Sequence, residues 1–307
     1  MAPQERIFFV GGTGNTGSPA VRQLLEKGIP VTLFARNPDK VQQLFSSFAS
    51  SPLLSVVPGD LDNLAPLIDA LPGHSRLFMV LVGHDTWKTK VAIAQAAYAA
   101  GIKQIVDVSA VLSLMGDWRT SSIIDNVYKA EKLIIEDPAR PQDAAYVSLR
   151  PGRFMSNIVA PTSRPLQDYI LRDIPAPDEA QGWISPNDIG SLAAVVLTED
   201  IAKHGDAAYD MIGDSVTPNQ RAAVYGRLLG RPITYQQITP SENFDRNYKP
   251  LLAFLPFRAA LELATYVDPP RLSKVSNTLP ILLGRQPESL EQYLTAKKDL
   301  FVKLYSA

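Results

Sequence analysis

Tyr128 and Lys132 stand four residues apart in NVYKAEKLIIED, Asn126 to Asp137, where Val127, Ala130, Leu133 and Ile134 recur with the period of a helix. Residues at i and i+4 are neighbours on a helix surface, so the phenol and the ammonium can meet one ligand. A lysine cation beside a phenol lowers the phenol's pKa and can hold a ribose, while the phenol exchanges a proton with a substrate oxygen as hydride moves. Ser109, at the end of the run Ile105-Val106-Asp107-Val108, is placed to bond the same oxygen and complete a catalytic set. The spacing YxxxK is common, and by itself it describes a half-buried tyrosine and a surface lysine. Its place in the chain gives it weight.

That place is set by Ile7 to Gly28, IFFVGGTGNTGSPAVRQLLEKG. The apolar run Ile7 to Val10 predicts a strand covered on both faces. Gly11, Gly14 and Gly17 follow as GxxGxxG, which permits a tight turn, close approach of backbone to a pyrophosphate, and close packing of helix on strand. Pro19 suits the first helical turn, Val21, Leu24 and Leu25 share a face, and Gly28 supplies the stop. The free N–H groups at such a helix start favour an anion. Strand, turn and helix in this order predict dinucleotide binding.

The second strand is predicted at Val31 to Ala35, with Arg36 nineteen residues after Gly17, where the ribose is read. An acidic residue there would bond the 2′-hydroxyl of NAD. Arg36, with Lys40 one helical turn further on, offers cations to a 2′-phosphate, and the expected cofactor is NADP(H). Leu54 to Val57 predicts a third strand. Asp60 and Leu61 lie at its carboxyl end, placed to take the exocyclic amine and the ring of an adenine, or for Asp60 to cap a helix from about Leu64 to Leu71. A fourth strand, Leu77 to Val82, opens at Gly83 and His84, near where the nicotinamide would rest: Gly83 is read as a cofactor contact, His84 as a residue of the substrate pocket. An Ala-rich helix to Ala100, the fifth strand at Ile105 to Ser109 and a sixth at Tyr146 to Leu149 complete an alternation without hairpin turns. The expected class is α/β, a doubly wound parallel Rossmann sheet.

Arg150-Pro151-Gly152 leaves the sixth strand toward the crevice, and Phe154, Met155 and Asn157 are expected to wall the substrate pocket. Residues 1–153 are read as the nucleotide domain and 154–307 as a smaller substrate lobe, with segments around 183–213 returning to the first. Within the lobe, Thr162 to Trp183 is expected as loops and short helices. Pro186-Asn187-Asp188 is expected to cap a helix from Ile189 to Leu197, followed by a strand at Ala208 to Ile212. Helices are expected at Pro218 to Leu229 and at Leu290 to Leu304, with 268–289 irregular; the apolar, aromatic stretch Leu251 to Tyr266, broken by Pro256, is expected as helical core, or else as the lining of a substrate pocket or a dimer surface.

The 307 residues carry 30 Lys+Arg against 31 Asp+Glu, with 46% hydrophobic and 20% charged residues, and nothing in that balance suggests nucleic acid. With no Cys and only His74, His84 and His204, neither disulfides nor thiolate or zinc sites are expected. No apolar run reaches the length of a membrane span and no secretory leader precedes Ile7, so the expectation is a cytoplasmic protein, monomer or homodimer, with a small-molecule substrate and no metal.

The chain resembles the NmrA-like family of atypical short-chain dehydrogenases, relatives of isoflavone reductase-like enzymes and of redox-sensing regulators. The resemblance rests on GGTGNTG at Gly11 to Gly17, ARNPDK at Ala35 to Lys40, GDL at Gly59 to Leu61, Lys132 with Glu136, and Leu149-Arg150-Pro151-Gly152 followed by Phe154-Met155-Ser156-Asn157. Asn187-Asp188-Ile189 and Ala208-Tyr209-Asp210 before Gly213 extend it over nearly the whole length. It implies a Rossmann domain with a smaller, mostly C-terminal lobe and a cofactor held by Gly11, Thr13, Gly14, Asn15, Thr16, Gly17, Arg36 and Lys132. In the reductase branch the lysine matching Lys132 is thought to act in catalysis, often without a tyrosine; Tyr128 is present here, as in ordinary and extended short-chain dehydrogenases. Three functions follow: an NADPH-dependent reductase or dehydrogenase of a small, fairly apolar carbonyl or enone, of the kind met in secondary metabolism; an NADP(H)-sensing regulator with a protein partner; or an isomerase or lyase on the same fold.

Overall fold

The computed structural model describes residues 5–81, 83, 86–115, 122–160, 163, 166 and 168–305. Its first half alternates β1 (Ile7–Val10), α1 (Gly17–Glu26), β2 (Val31–Ala35), α2 (Pro38–Leu44), β3 (Leu54–Pro58), α3 (Ala65–Ala70), β4 (Arg76–Met79), α4 (Thr86–Ala99), β5 (Gln104–Val108), α5 (Ser122–Ile135) and β6 (Ala145–Pro151). Every residue of β1, β2, β4 and β5 is buried, which is why these strands read as unbroken or nearly unbroken apolar runs. Then come β7 (Arg153–Phe154), β8 (Ile170–Asp173), β9 (Gln181–Ile184), α6 (Pro186–Val196), α7 (Ile201–His204), β10 (Ala208–Met211), β11 (Asp214–Val216), α8 (Pro218–Leu229) and β12 (Thr234–Gln237). The last helices are α9 (Pro240–Asn243), α10 (Phe257–Thr265), α11 (Thr278–Leu283), α12 (Leu290–Ala296) and α13 (Lys298–Tyr305).

Seven parallel strands form the central sheet in the order β3-β2-β1-β4-β5-β6-β10. The order reverses between β1 and β4, and such a switch point opens a crevice at the carboxyl ends of the strands. One core, with Val21, Leu24 and Leu25 of α1 and Ile189 and Leu192 of α6, covers one face; a second, with Leu67 of α3, Ile93 and Ala97 of α4 and Ile134 of α5, covers the other. Helices α1 and α6 meet at Gly190, where a Cβ would stand 2.8 Å from the Thr16 carbonyl oxygen.

The smaller lobe holds a three-stranded sheet, β11-β9-β7, and a parallel pair, β12-β8, around a core that includes Met155, Trp183, Tyr225, Tyr293 and Phe301. Several local expectations are corrected here. Thr162 to Trp183 contributes β8 and β9, strands of four residues that are too short and too proline-flanked to show a period. The cap of α6 is Ser185, whose hydroxyl accepts from Asn187 N–H at 3.1 Å, so the helix starts at Pro186. The break expected at Pro256 is present, and α10 follows it over Phe257–Thr265. Residues 268–289 include α11, and Leu290 to Leu304 is divided at Lys297 into α12 and α13. Among the described residues no helix is long and apolar enough to cross a membrane.

Candidate cofactor and active site

The glycines between β1 and α1 divide into two kinds. Gly11 has φ +87°, and a Cβ there would lie 2.5 Å from the Val80 carbonyl oxygen; a Cβ on Gly17 would lie 2.3 Å from the Gly11 oxygen. Both are demanded by the fold itself. Gly14 is exposed, and a Cβ there would meet only the Gly11 oxygen, at 3.5 Å. Apart from its chain neighbours, nothing else among the described residues lies within 4 Å of that position. Its N–H bonds the Gly11 oxygen at 3.2 Å and its carbonyl accepts from Ser18 N–H at 3.0 Å, which holds the turn.

The start of α1 is finished unlike the starts of α2, α6, α8 and α12, whose leading N–H groups are bonded by Asn37, Ser185, Thr217 and Ser289. Thr16 makes no side-chain cap bond, and no acidic residue stands in the first turn. Ser18 N–H is bonded within the turn and Pro19 has no N–H, so what this helix start offers an anion is the positive end of its dipole beside an exposed Gly14, which fits a pyrophosphate. Thr16 is buried, Thr13 half-buried and Asn15 exposed around this turn.

Arg36 is the first residue after β2; it is exposed and has no side-chain hydrogen bond or ion pair among the described residues. Lys40 is exposed on α2, where its backbone N–H, not its ammonium, bonds the Asn37 cap. Beyond β3, Asp60 caps the turn Asp60–Asp62 through a 2.9 Å bond to Asp62 N–H and does not cap α3, while Leu61 is 38% exposed beside it. Gly83, at φ +137°, lies at the mouth of β4. His84 lies outside the described residues.

Tyr128 is half-buried on α5, and Lys132 is exposed on the same helix, 3.4 Å from Glu136. The Asn126 amide donates to Thr86 Oγ1 at 3.0 Å and its oxygen accepts from Trp87 N–H at 2.9 Å, pinning α5 to the start of α4. Ser109 donates its proton to Glu131, a buried carboxylate one residue before Lys132. Arg150, at the end of β6, closes on the same carboxylate, with Nε 3.1 and 3.2 Å from its two oxygens and a terminal N–H on one of them. Burial works against the Arg150 charge, but the bonds and charge of Glu131 outweigh it and raise its pKa. Beneath lies a second buried group: Lys90 donates to Asp107 Oδ2 at 2.9 Å and to the Val108 carbonyl at 2.9 Å, and Tyr146 donates to the same Asp107 oxygen at 2.7 Å. Burial raises the Asp107 and Asp210 carboxyls, against the pull of Lys90 and Arg150 respectively.

Of the residues expected to wall the pocket, Phe154 is half-buried against the central core, Met155 is fully buried in the core of the lobe, and Asn157 is exposed. For Met155 the packing reading replaces the pocket one. Ser109, expected to bond a substrate oxygen, has its proton engaged by Glu131 instead.

A model of the NAD(P)H-binding family matches residues 11–200, well over half of the chain. The chain belongs to that family. Among curated proteins it is 25% identical over 301 residues to an NAD(P)H azoreductase of Xenophilus azovorans, covering 96% of this chain and 99% of that one. An NADPH-dependent quinone oxidoreductase of Escherichia coli, solved with NADPH, superposes with a TM-score of 0.73 at 24% identity, over 95% of this chain and 99% of that chain. NmrA, a negative transcriptional regulator solved with NADP, superposes with a TM-score of 0.69 at 18% identity, over 96% and 97%. At these identities the two structures establish a shared fold, the NmrA-like Rossmann architecture that the motifs imply.

Glu131, Lys90 and Tyr146 stand in no spacing that marks them for chemistry in the sequence. Asp107 carried a signal, since a carboxylate in the middle of a buried strand needs a partner. Its partner sits seventeen residues away on a helix otherwise read as Ala-rich.

Proposed function

We propose that this NAD(P)H-binding protein is an NADPH-dependent oxidoreductase acting on a small, fairly apolar carbonyl or enone compound. The observation that carries the reading is the uncapped start of α1 beside the open Gly14. Reductases among the relatives, the azoreductase first, support the class. In this reading Gly11 to Gly17 and the α1 N–H groups bind the pyrophosphate, Arg36 and Lys40 hold the 2′-phosphate, Asp60 and Leu61 receive the adenine, and Gly83 borders the nicotinamide. The bound cofactor supplies the hydride. Tyr128 supplies the proton to the substrate oxygen, and Lys132 turns from Glu136 to the ribose, a change that costs little because an exposed ion pair contributes at most about 1 kcal/mol.

One observation favours a second reading. Lys132 bonds outward to Glu136, and the fold is shared with the regulator NmrA, so an NADP(H)-sensing regulator would bind cofactor without hydride transfer. Oxidation of NADPH by the purified protein across a panel of aldehydes, ketones, enones and quinones separates the two. Steady turnover on at least one is expected; tight NADPH binding with no turnover on any would overturn the enzyme in favour of the sensor.

A further inference from the structure

We infer that Glu131 converts Ser109 into a hydrogen-bond acceptor facing the crevice, and that Ser109 thereby selects a substrate bearing a hydroxyl donor in addition to its carbonyl. The inference rests on the oxidoreductase reading for the word substrate, but its geometry does not. An ionised carboxylate only accepts hydrogen bonds. Glu131 is buried against the Arg150 guanidinium, a group with donors only, which bonds both of its oxygens. The hydrogen bond between Ser109 and Glu131 therefore runs in one direction, from hydroxyl to carboxylate.

A serine hydroxyl has one proton and two lone pairs. The proton is spent on Glu131, and the backbone N–H of Ser109 is spent on the Leu149 carbonyl at 2.7 Å. What Ser109 has left is acceptor capacity, on a residue only 8% exposed, at the carboxyl end of β5 on the edge of the sheet where ligands of this fold bind. Tyr128 stands one helical turn before Glu131 and on the same side of α5, so a ligand reaching the phenol lies beside this acceptor. A ligand with only a carbonyl would place oxygen against oxygen there and leave the serine lone pairs unpaired. A hydroxy-carbonyl compound satisfies both groups, the carbonyl taking the phenol proton as a hydrogen bond and the hydroxyl donating to Ser109. Glu131 is in this scheme a positioning residue, acting on the ligand through Ser109.

The test compares 3′- and 4′-hydroxyacetophenone with their methyl ethers by equilibrium dialysis against protein saturated with NADP+, under which no ketone can be reduced. At least one hydroxy compound is expected to bind about tenfold tighter than its ether, the scale of one hydrogen bond in a closed site. Ser109→Ala should bring the pair to equal affinity. Glu131→Gln offers Ser109 an amide donor and frees its proton, and should shrink or invert the preference; if that variant does not fold, the alanine variant decides alone. Equal affinities within both pairs, no binding of any of the four, or a preference that survives Ser109→Ala would overturn the inference. The turnover panel reads hydride transfer from NADPH and this experiment reads binding with NADP+, so either can fail without the other.

Discussion

Around Gly14 the turn is held by its own backbone bonds and Arg36 has no side-chain hydrogen bond or ion pair among the described residues, whereas around Ser109 the buried charges are paired with one another. Both regions lie at the carboxyl edge of the same sheet. In the proposed reading the first receives an anionic ligand at the positive end of the α1 dipole, beside the exposed Gly14. The second is closed on itself: Lys90 with Asp107 and Tyr146, and Arg150 with Glu131 and Ser109, form a closed platform of buried and half-buried groups. Binding in the first region should be sensitive to what is added, and the second should be sensitive to what is removed.

Adding atoms gives the largest contrast. Gly14→Val places its side chain where only the Gly11 oxygen is near, so thermal unfolding should stay within a few degrees of the unmodified protein while NADP(H) binding is lost. Gly17→Ala puts a Cβ 2.3 Å from the Gly11 oxygen and should lower the melting temperature outright. Undiminished NADPH binding by Gly14→Val would reduce this loop to a turn and erase the contrast.

Removing a charge should break the other region. Lys90→Met leaves Asp107, fully buried, with Tyr146 as its remaining hydrogen-bond donor, and stability measured by urea unfolding should fall by about 3–5 kcal/mol. Lys90→Met with Asp107→Leu should recover much of that loss, because a buried pair replaced by apolar groups is often neutral. A single variant as stable as the unmodified protein would mean that the lysine is not holding the platform together.

The open region was legible in the sequence and the closed one was not, for a physical reason. A glycine spacing, an apolar strand and a cation at a fixed distance are local patterns, and β1, β2 and α8 fall on the residues their patterns predict. Lys90 to Asp107, Glu131 to Arg150 and Ser109 to Glu131 join elements 17 to 22 residues apart, and nothing local marks a helical lysine or glutamate as buried. Lys132 was singled out by its spacing from Tyr128, yet it is its neighbour Glu131 that turns inward, because α5 presents the latter to the strand ends. In the lobe, β8 and β9 escaped for lack of length, and Met155 read as pocket wall because Phe-Met after a strand end looks the same whether it faces a ligand or a core.

Tyr128 belongs to the closed platform by position and to the open crevice by function, and it sharpens the comparison. Tyr128→Phe keeps the ring and removes the transferable proton. On a substrate found in the NADPH panel, turnover should fall by about 100-fold or more, the scale of a positioned acid or base, with NADPH affinity little changed. Lys132→Met should cost both rate and affinity. If Tyr128→Phe is silent and only the lysine variant stops the reaction, Lys132 is the acid, as the reductase branch of the resembling family implies.

The smallest effect concerns Arg36, because its contact would be made at an exposed position. A charge-assisted bond to the 2′-phosphate contributes roughly 1.5–3 kcal/mol, so NADP(H) should bind about 10- to 100-fold tighter than NAD(H). Arg36→Ala should narrow the gap by weakening NADP(H) alone, and Lys40→Ala should narrow it less, the ammonium being a point charge without the planar fork of the guanidinium. Salt gives an independent check. Arg36 has no ion pair to give up among the described residues, so the discrimination is purely an exposed cation meeting a phosphate, and raising ionic strength from about 0.01 to 1 M shortens the screening length from about 30 to 3 Å. The NADP(H)-over-NAD(H) ratio should therefore shrink with salt in the unmodified protein and respond less in Arg36→Ala, where only Lys40 remains. Equal affinities for the two cofactors at low salt would show that the unpaired cation at the end of β2 is surface charge, and that the open region reads the pyrophosphate alone.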